Sequence, residues 1–271
     1  MSSMEVTNLT REKLRKMFAE GKRFDGRKLD EFRDLKIEFD VSNQAEGSAR
    51  VRLGKTEVVV GIKLGFGEPY PDSPDKGNLM VSADLLPLAS PRFEHGPPGF
   101  NAIELPRLVD RAIRASDVIN LSDLVIEEGK KVWTVFVDLY PINDDGNLID
   151  AASFGAIAAL KKAVLPLLDK DGKIDHKTKS TNPVPLAKDI APISFSFFKL
   201  GDSLILDPTR EEQEASEARI TFGISTFEGK PMVNSCQKYG EDLFSQEEIE
   251  KAMSLLPVKF EEINKKLKSV L

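Results

Sequence analysis

The sequence contains a single cysteine, Cys236, among 271 residues. No intrachain disulfide and no cysteine-ligated zinc site can form, and the usage predicts a reducing cytoplasm as the compartment. Histidine is nearly as scarce, with His95 and His176 alone. That counts against a histidine metal centre or a Ser-His-Asp triad. No run of ~18 apolar residues occurs, so no membrane-spanning helix is expected. Residues 1–10 lack a basic stretch followed by an apolar one, so no secretion signal is expected. Positive charge is also short: 38 Lys and Arg face 44 Asp and Glu, a net charge of -6. Nucleic acid repels such a chain on average, so any RNA contact has to be local or completed by a more basic partner.

What is present describes a folded protein. Hydrophobic residues make up 41% and charged residues 30%, with both signs interspersed. This suffices for a core, and the length fits one large domain or two small ones. Thr10 is placed to cap a helix carrying Leu14, Met17 and Phe18, with Gly21 ending it. Leu35, Ile37, Phe39 and Val41 alternate with polar residues, as do Ala49, Val51 and Leu53, which predicts strands. Residues 58–62 form a nearly continuous apolar run, predicting a strand buried on both faces. Residues 65–78 and 90–99 are rich in Gly and Pro and predict loops; 79–88 and 132–140 predict strands. Leu105, Leu108, Val109, Ala112 and Ile113 share one face of a helix over 102–116. Residues 151–168 predict a small-residue helix lying between layers. A polar stretch, 169–189, follows as a hairpin or loop. Strands are then expected at 193–200, 203–206, 219–225 and 232–237. A final helix starts at Ser245 with a Ser245/Glu248 capping box and runs to about Lys268. The order predicts an α+β fold of two related lobes, residues 1–189 and 190–271.

Chemistry is sparse along this chain. Arg107, Arg111 and Arg114 fall on one face of the 102–116 helix. Such a line of guanidinium forks matches successive phosphates, or else is a solvated face with local ion pairs. Glu104 is placed to meet Arg107 and Asp110 to meet Arg114; Arg111 has no carboxylate three or four residues away. Asp144-Asp145-Gly146-Asn147 reads as a turn and helix cap rather than a metal or phosphate loop. Glu211, Glu212, Glu214 and Glu217 read as a solvated face. His95 has no nucleophile beside it. Cys236 reads as buried, and Phe195, Phe197 and Phe198 as core rather than base-stacking residues.

Several spaced motifs carry a family resemblance. Arg23-Phe24-Asp25-Gly26-Arg27 and residues 47–56 (GSARVRLGKT) resemble the opening of RNase PH-like proteins. Leu85-Leu86-Pro87-Leu88-Ala89, Gly96-Pro97-Pro98, residues 101–111 (NAIELPRLVDR), Trp133-Thr134-Val135 and residues 145–151 (DGNLIDA) narrow it further. They are similar to the non-catalytic RNase PH-like subunit of the archaeal exosome core. The resemblance implies a two-lobed RNase PH fold and a hexameric ring of three heterodimers with a catalytic paralogue. It also implies RNA-binding cap subunits on one ring face and single-stranded RNA shortened from its 3′ end by phosphorolysis. Arg107 and Arg111 match the arginines that reach RNA in the partner's site. No cofactor, metal or membrane is implied.

Departures from active relatives set the expected role. Gly146-Asn147-Leu148 stands where they carry Gly-Thr-Arg or Gly-Ser-Arg. Arg219 stands where they carry a catalytic aspartate, and the 90–99 loop lacks their several arginines. Without those groups neither phosphate cradle nor proton transfer is supplied. The expectation is a chain with no catalytic residues of its own. Three rivals stay open: an active phosphorolytic exoribonuclease, an inactive ring subunit of a eukaryotic-type exosome, and an assembly protein without RNA contact. A length without extensions favours the archaeal ring over the eukaryotic type.

Overall fold

The computed structural model describes residues 6–94, 96–169, 173–175, 180–187 and 190–270. His95 lies outside them, as does His176 and much of the polar 169–189 stretch. In chain order the first elements are α1 (Asn8–Ala19), β1 (Leu35–Phe39), β2 (Gly47–Leu53), β3 (Thr56–Gly67), β4 (Asn78–Ala83) and α2 (Phe100–Ala115). Next come β5 (Val125–Glu127), β6 (Lys131–Asn143), α3 (Leu148–Lys162), β7 (Leu167–Leu168) and β8 (Ile174–Asp175). The second half adds β9 (Ile193–Leu200), β10 (Ser203–Leu206), α4 (Arg210–Ala215), β11 (Ala218–Phe227), β12 (Lys230–Gly240) and α5 (Gln246–Val270).

Two sheets result. The first has the order β1-β2-β3-β6-β4, with β5 on the start of β6; β4 runs parallel to β6 and the other pairs are antiparallel. The second is antiparallel, in the order β10-β9-β11-β12. Helix α3 lies between them, buried at every residue from Ile149 to Leu160. Its small side chains make that position possible: a Cβ on Gly155 would stand 2.7 Å from Val60, and one on Gly47 would stand 2.5 Å from the Ala159 carbonyl. One core cluster therefore joins Val60 and Val137 of the first sheet, Phe154 of α3, and Phe195 and Phe222 of the second. A second cluster, Leu14, Phe18, Phe198, Leu200 and Ile205, seats α1 on the far end of the second sheet. Helix α5 closes the globule through Ala252, Leu256, Phe260, Ile263 and Leu267, a stripe repeating every three or four residues. Its capping box forms as predicted, with Ser245 N donating to Glu248 at 2.8 Å and Glu248 N to Ser245 Oγ at 3.2 Å.

Several expectations are corrected. The N-cap of α1 is Thr7, whose hydroxyl accepts from Thr10 N at 3.2 Å. Strand β3 is longer than predicted and buries Val58, Val60, Ile62 and Leu64 on one face only, because α3 covers only that side. The 79–88 strand ends at Ala83. Helix α3 begins three residues earlier than predicted and stops at Lys162: Ala163 turns extended, and Pro166 cannot continue a helix. Leu167–Leu168 instead pairs with Ile174–Asp175 as a short hairpin. Cys236 is exposed on edge strand β12 rather than buried; partial desolvation pushes its thiol up, so it stays protonated near neutral pH. Phe195, Phe197 and Phe198 are core residues as expected.

Candidate nucleic-acid interface

Helix α2 turns its apolar stripe inward and buries Leu105, Leu108, Val109, Ala112 and Ile113. Its three arginines are thereby left on the outside. They differ in what holds them. Arg114 donates to Asp110 at 2.7 and 3.1 Å and to the Leu79 carbonyl at 3.1 Å, which ties it to β4. With the Gln237 amide turned so that its oxygen faces α2, Arg111 donates Nε and Nη1 to it at 2.9 and 2.8 Å. Arg107 has no hydrogen bond or ion pair among the described residues. The expected Glu104–Arg107 pair does not form. Glu104 is buried on the side of α2 that faces β11, and takes Arg219 instead.

Positions 147, 148 and 219, far apart in sequence, line one cavity of about 80 Å³ together with Arg92, Glu104 and Gln213. Arg219 donates Nη2 to Glu104 at 2.8 Å and lies 5.1 Å from the Tyr239 ring. Arg92 donates Nη2 to Asp144 at 2.8 Å and pairs with Glu214 at 2.8 Å. The one arginine of the 90–99 loop is thus neutralised twice. Each cation lining the cavity is thus already paired with a carboxylate, leaving the buried Nε–H groups of Arg92 and Arg219 without a partner, and Leu148 brings no charge.

The turn entering α3 is occupied in the same way. Gly146 has φ +87°, and a Cβ there would stand 2.6 Å from the Pro208 carbonyl oxygen. Asn147, at φ +57°, does not cap the helix as expected. Its side-chain amide donates to Asp150 at 3.1 Å and Asp207 at 2.9 Å, and its backbone N–H donates to Gln213 at 2.8 Å. Asp145 pairs with Arg33 at 3.4 Å. Both aspartates of this loop are thus paired with arginines, Asp144 with Arg92 and Asp145 with Arg33.

Beneath lies a buried charged network that the sequence pattern did not expose. Arg33 grips Asp207 with Nε at 2.9 Å and Nη2 at 2.7 Å. Arg23 binds Glu212 in a two-pronged pair and the Leu206 and Asp207 carbonyls at 2.9 and 2.8 Å. Residues 23–33 are thereby locked to the turn after β10. The glutamate cluster is not the solvated face expected of it. Glu212 is buried in the Thr209 capping box, Glu214 pairs with Arg92 and Arg210, and Glu217 with Arg15; of the four only Glu211 is exposed.

Asp150 is fully buried, accepting from Ser196 N at 3.1 Å, Ser196 Oγ at 2.8 Å and Asn147. Burial pushes its carboxyl up to about 7 despite those bonds, and neighbouring Asp207 adds to the rise. Its pKa is higher folded than unfolded, so its contribution to stability falls as pH rises from about 4 to about 7. A carboxyl titration followed by NMR should place Asp150 near 7; a midpoint below 5 would contradict this picture.

Two sheets around a shared small-residue helix, with α2 laid along the edge strand of the second, form an RNase PH-like α+β fold. The chain belongs to the 3′ exoribonuclease family: its domain 1 model matches residues 31–166 and its domain 2 model residues 191–255. It is 43% identical over 270 residues to the Exosome complex component Rrp42 of Thermococcus onnurineus, spanning 98% of this chain and 97% of that one. Among solved structures, a chain of the Archaeoglobus fulgidus exosome with RNA bound to the active site matches at 41% identity. The TM-score is 0.85, covering 94% of this chain and 97% of that chain. A chain of an archaeal exosome core matches at 36% identity and TM-score 0.83, covering 96% and 97%.

Proposed function

We propose that this chain is a non-catalytic, RNA-contacting subunit of an archaeal exosome ring. In that ring it pairs with a catalytic RNase PH-like paralogue as a trimer of heterodimers, in the cytoplasm, with RNA-binding cap subunits on one face. The observation that carries the proposal is the cavity shared by Asn147, Leu148 and Arg219, in which every lining cation is already neutralised. Phosphorolysis depends on positive groups aimed at phosphate and on a carboxylate or similar group that moves a proton. Here the aspartate position holds a cation spent on Glu104, and the phosphate turn holds an apolar side chain. Among the described residues this cavity offers little to the rival reading of an active enzyme, which supports the non-catalytic one.

Arg107 and Arg111 are the residues we assign to RNA. Both are exposed, and neither is committed to a carboxylate. Phosphate contacts of this kind position a strand without reading its bases. The acidic net charge is compatible with this, because two local contacts need no basic surface when the partner completes the site. We also take the division between lobes to fall near residue 190, ahead of β9, and the first lobe to be residues 1–189.

Crosslinking of single-stranded RNA in the complex reconstituted with the paralogue tests the RNA assignment. Crosslinks should map to α2 around Arg107 and Arg111 and fade as salt rises. Crosslinks confined to the partner subunit would sink it.

A further inference from the structure

Phe100 and Tyr239 form an exposed aromatic stack at the end of α2 where the arginine stripe begins. Their ring centroids are 5.3 Å apart and the planes 26° from parallel. Both remain open to solvent, Phe100 at 54% and Tyr239 at 48% exposure. Two large aromatic rings held together at a surface retain apolar area that a third flat group can cover. Tyr239 is fixed from the other direction by Arg219, 5.1 Å from its ring, and Arg219 by its buried pair with Glu104. Phe100 is the first residue of α2. The platform is therefore built on a helix end, an edge strand and a buried ion pair, rather than on a loop.

Its placement points to a ligand. At 100° per residue, Phe100, Arg107 and Arg111 lie within about 20° of one line along α2. Strand β12 runs beside that line: Tyr239 meets Phe100, and Gln237, two residues back on the same strand face, meets Arg111. Arg107 lies between, about 10 Å along the axis from Phe100. An exposed aromatic pair followed by two arginines that carry no carboxylate partner on one track matches how single strands are held, with cations on the backbone and rings under the bases. Phe100 also borders an open groove of about 510 Å³ with Leu85, Leu86, Arg92 and Pro98, which leaves space beside the platform.

We propose that Phe100 and Tyr239 form a nucleobase-stacking platform that takes one base of the single-stranded RNA whose phosphates Arg107 and Arg111 hold. This rests on the assignment of those arginines to RNA and extends the track beyond them. The platform is indifferent to which base it receives, because every base presents a π-face.

The test uses the complex with the catalytic paralogue and RNA carrying 2-aminopurine at successive positions. In the unaltered complex one position should be quenched by stacking. Phe100→Ala should remove that quench and weaken binding about 5- to 100-fold. The factor should be the same at low and high salt, because no phosphate contact is lost. Phe100→Trp should restore both. Arg107→Ala with Arg111→Ala should instead flatten the salt dependence. An unchanged salt slope in that variant would therefore sink the arginine assignment separately. Unaltered affinity and quench in Phe100→Ala would overturn the platform. Loss of the ring on gel filtration of Phe100→Ala would also overturn it, by showing that a protein subunit covers this face.

Discussion

Replacing Arg107 and Arg111 together by alanine should weaken single-stranded RNA binding by the assembled complex by roughly 100-fold at low salt. Each charge-assisted bond to phosphate contributes about 1.5–3 kcal/mol, and a 1.4 kcal/mol loss is tenfold. The loss should shrink as salt rises. The slope of log affinity against log salt should fall by about 1.4, at ~0.7 per single-strand phosphate. The fold itself should barely notice. Both side chains are exposed, and only the Arg111 bond to Gln237 is given up. An intact ring whose RNA affinity is unchanged would contradict the assignment.

The largest stability effect is expected at Arg23. Its side chain is fully buried, and it neutralises Glu212 while holding the carbonyls of Leu206 and Asp207. Arg23→Ala leaves a buried carboxylate without its cation, at a cost of about 3–5 kcal/mol. Urea denaturation should show this as a lower midpoint. The double variant Arg23→Met with Glu212→Leu should recover much of the loss, because the uncompensated charge disappears with the pair. A midpoint unchanged in Arg23→Ala would mean that the pair does not clamp the N-terminal segment to the second sheet.

The difference between what the sequence showed and what it hid follows from how local each signal is. The α2 core stripe and the Ser245/Glu248 capping box are written within a few residues, and both were legible. Most strands of the two sheets are legible in the sequence, β1 and β2 from alternation and β3 from an apolar run, whereas the three-residue β5 is too short to show; the charge-free helix is legible from its small side chains. The 58–62 run does not disclose that only one face is buried, because an apolar strand says nothing of whether its second face meets another layer. The exposure of Cys236 is hidden for the same reason: strand periodicity does not reveal an edge. The Arg33–Asp207 and Arg23–Glu212 pairs join residues more than 170 positions apart, so no spacing rule finds them. In the sequence Glu212 therefore looks like one solvated carboxylate among several. Substitutions at 148 and 219 were visible as departures from a family pattern. Their convergence on one cavity, and the neutralisation of Arg92 and Arg219 within it, required the fold.

The most direct measurement compares phosphate-dependent RNA degradation by this chain alone with degradation by the chain combined with its catalytic paralogue. Release of nucleoside diphosphates only from the mixture is the predicted result, since each cation in the Leu148–Arg219 cavity is already paired with a carboxylate. Diphosphate release by the purified chain alone would contradict the account, and would move the search for catalytic groups away from that cavity.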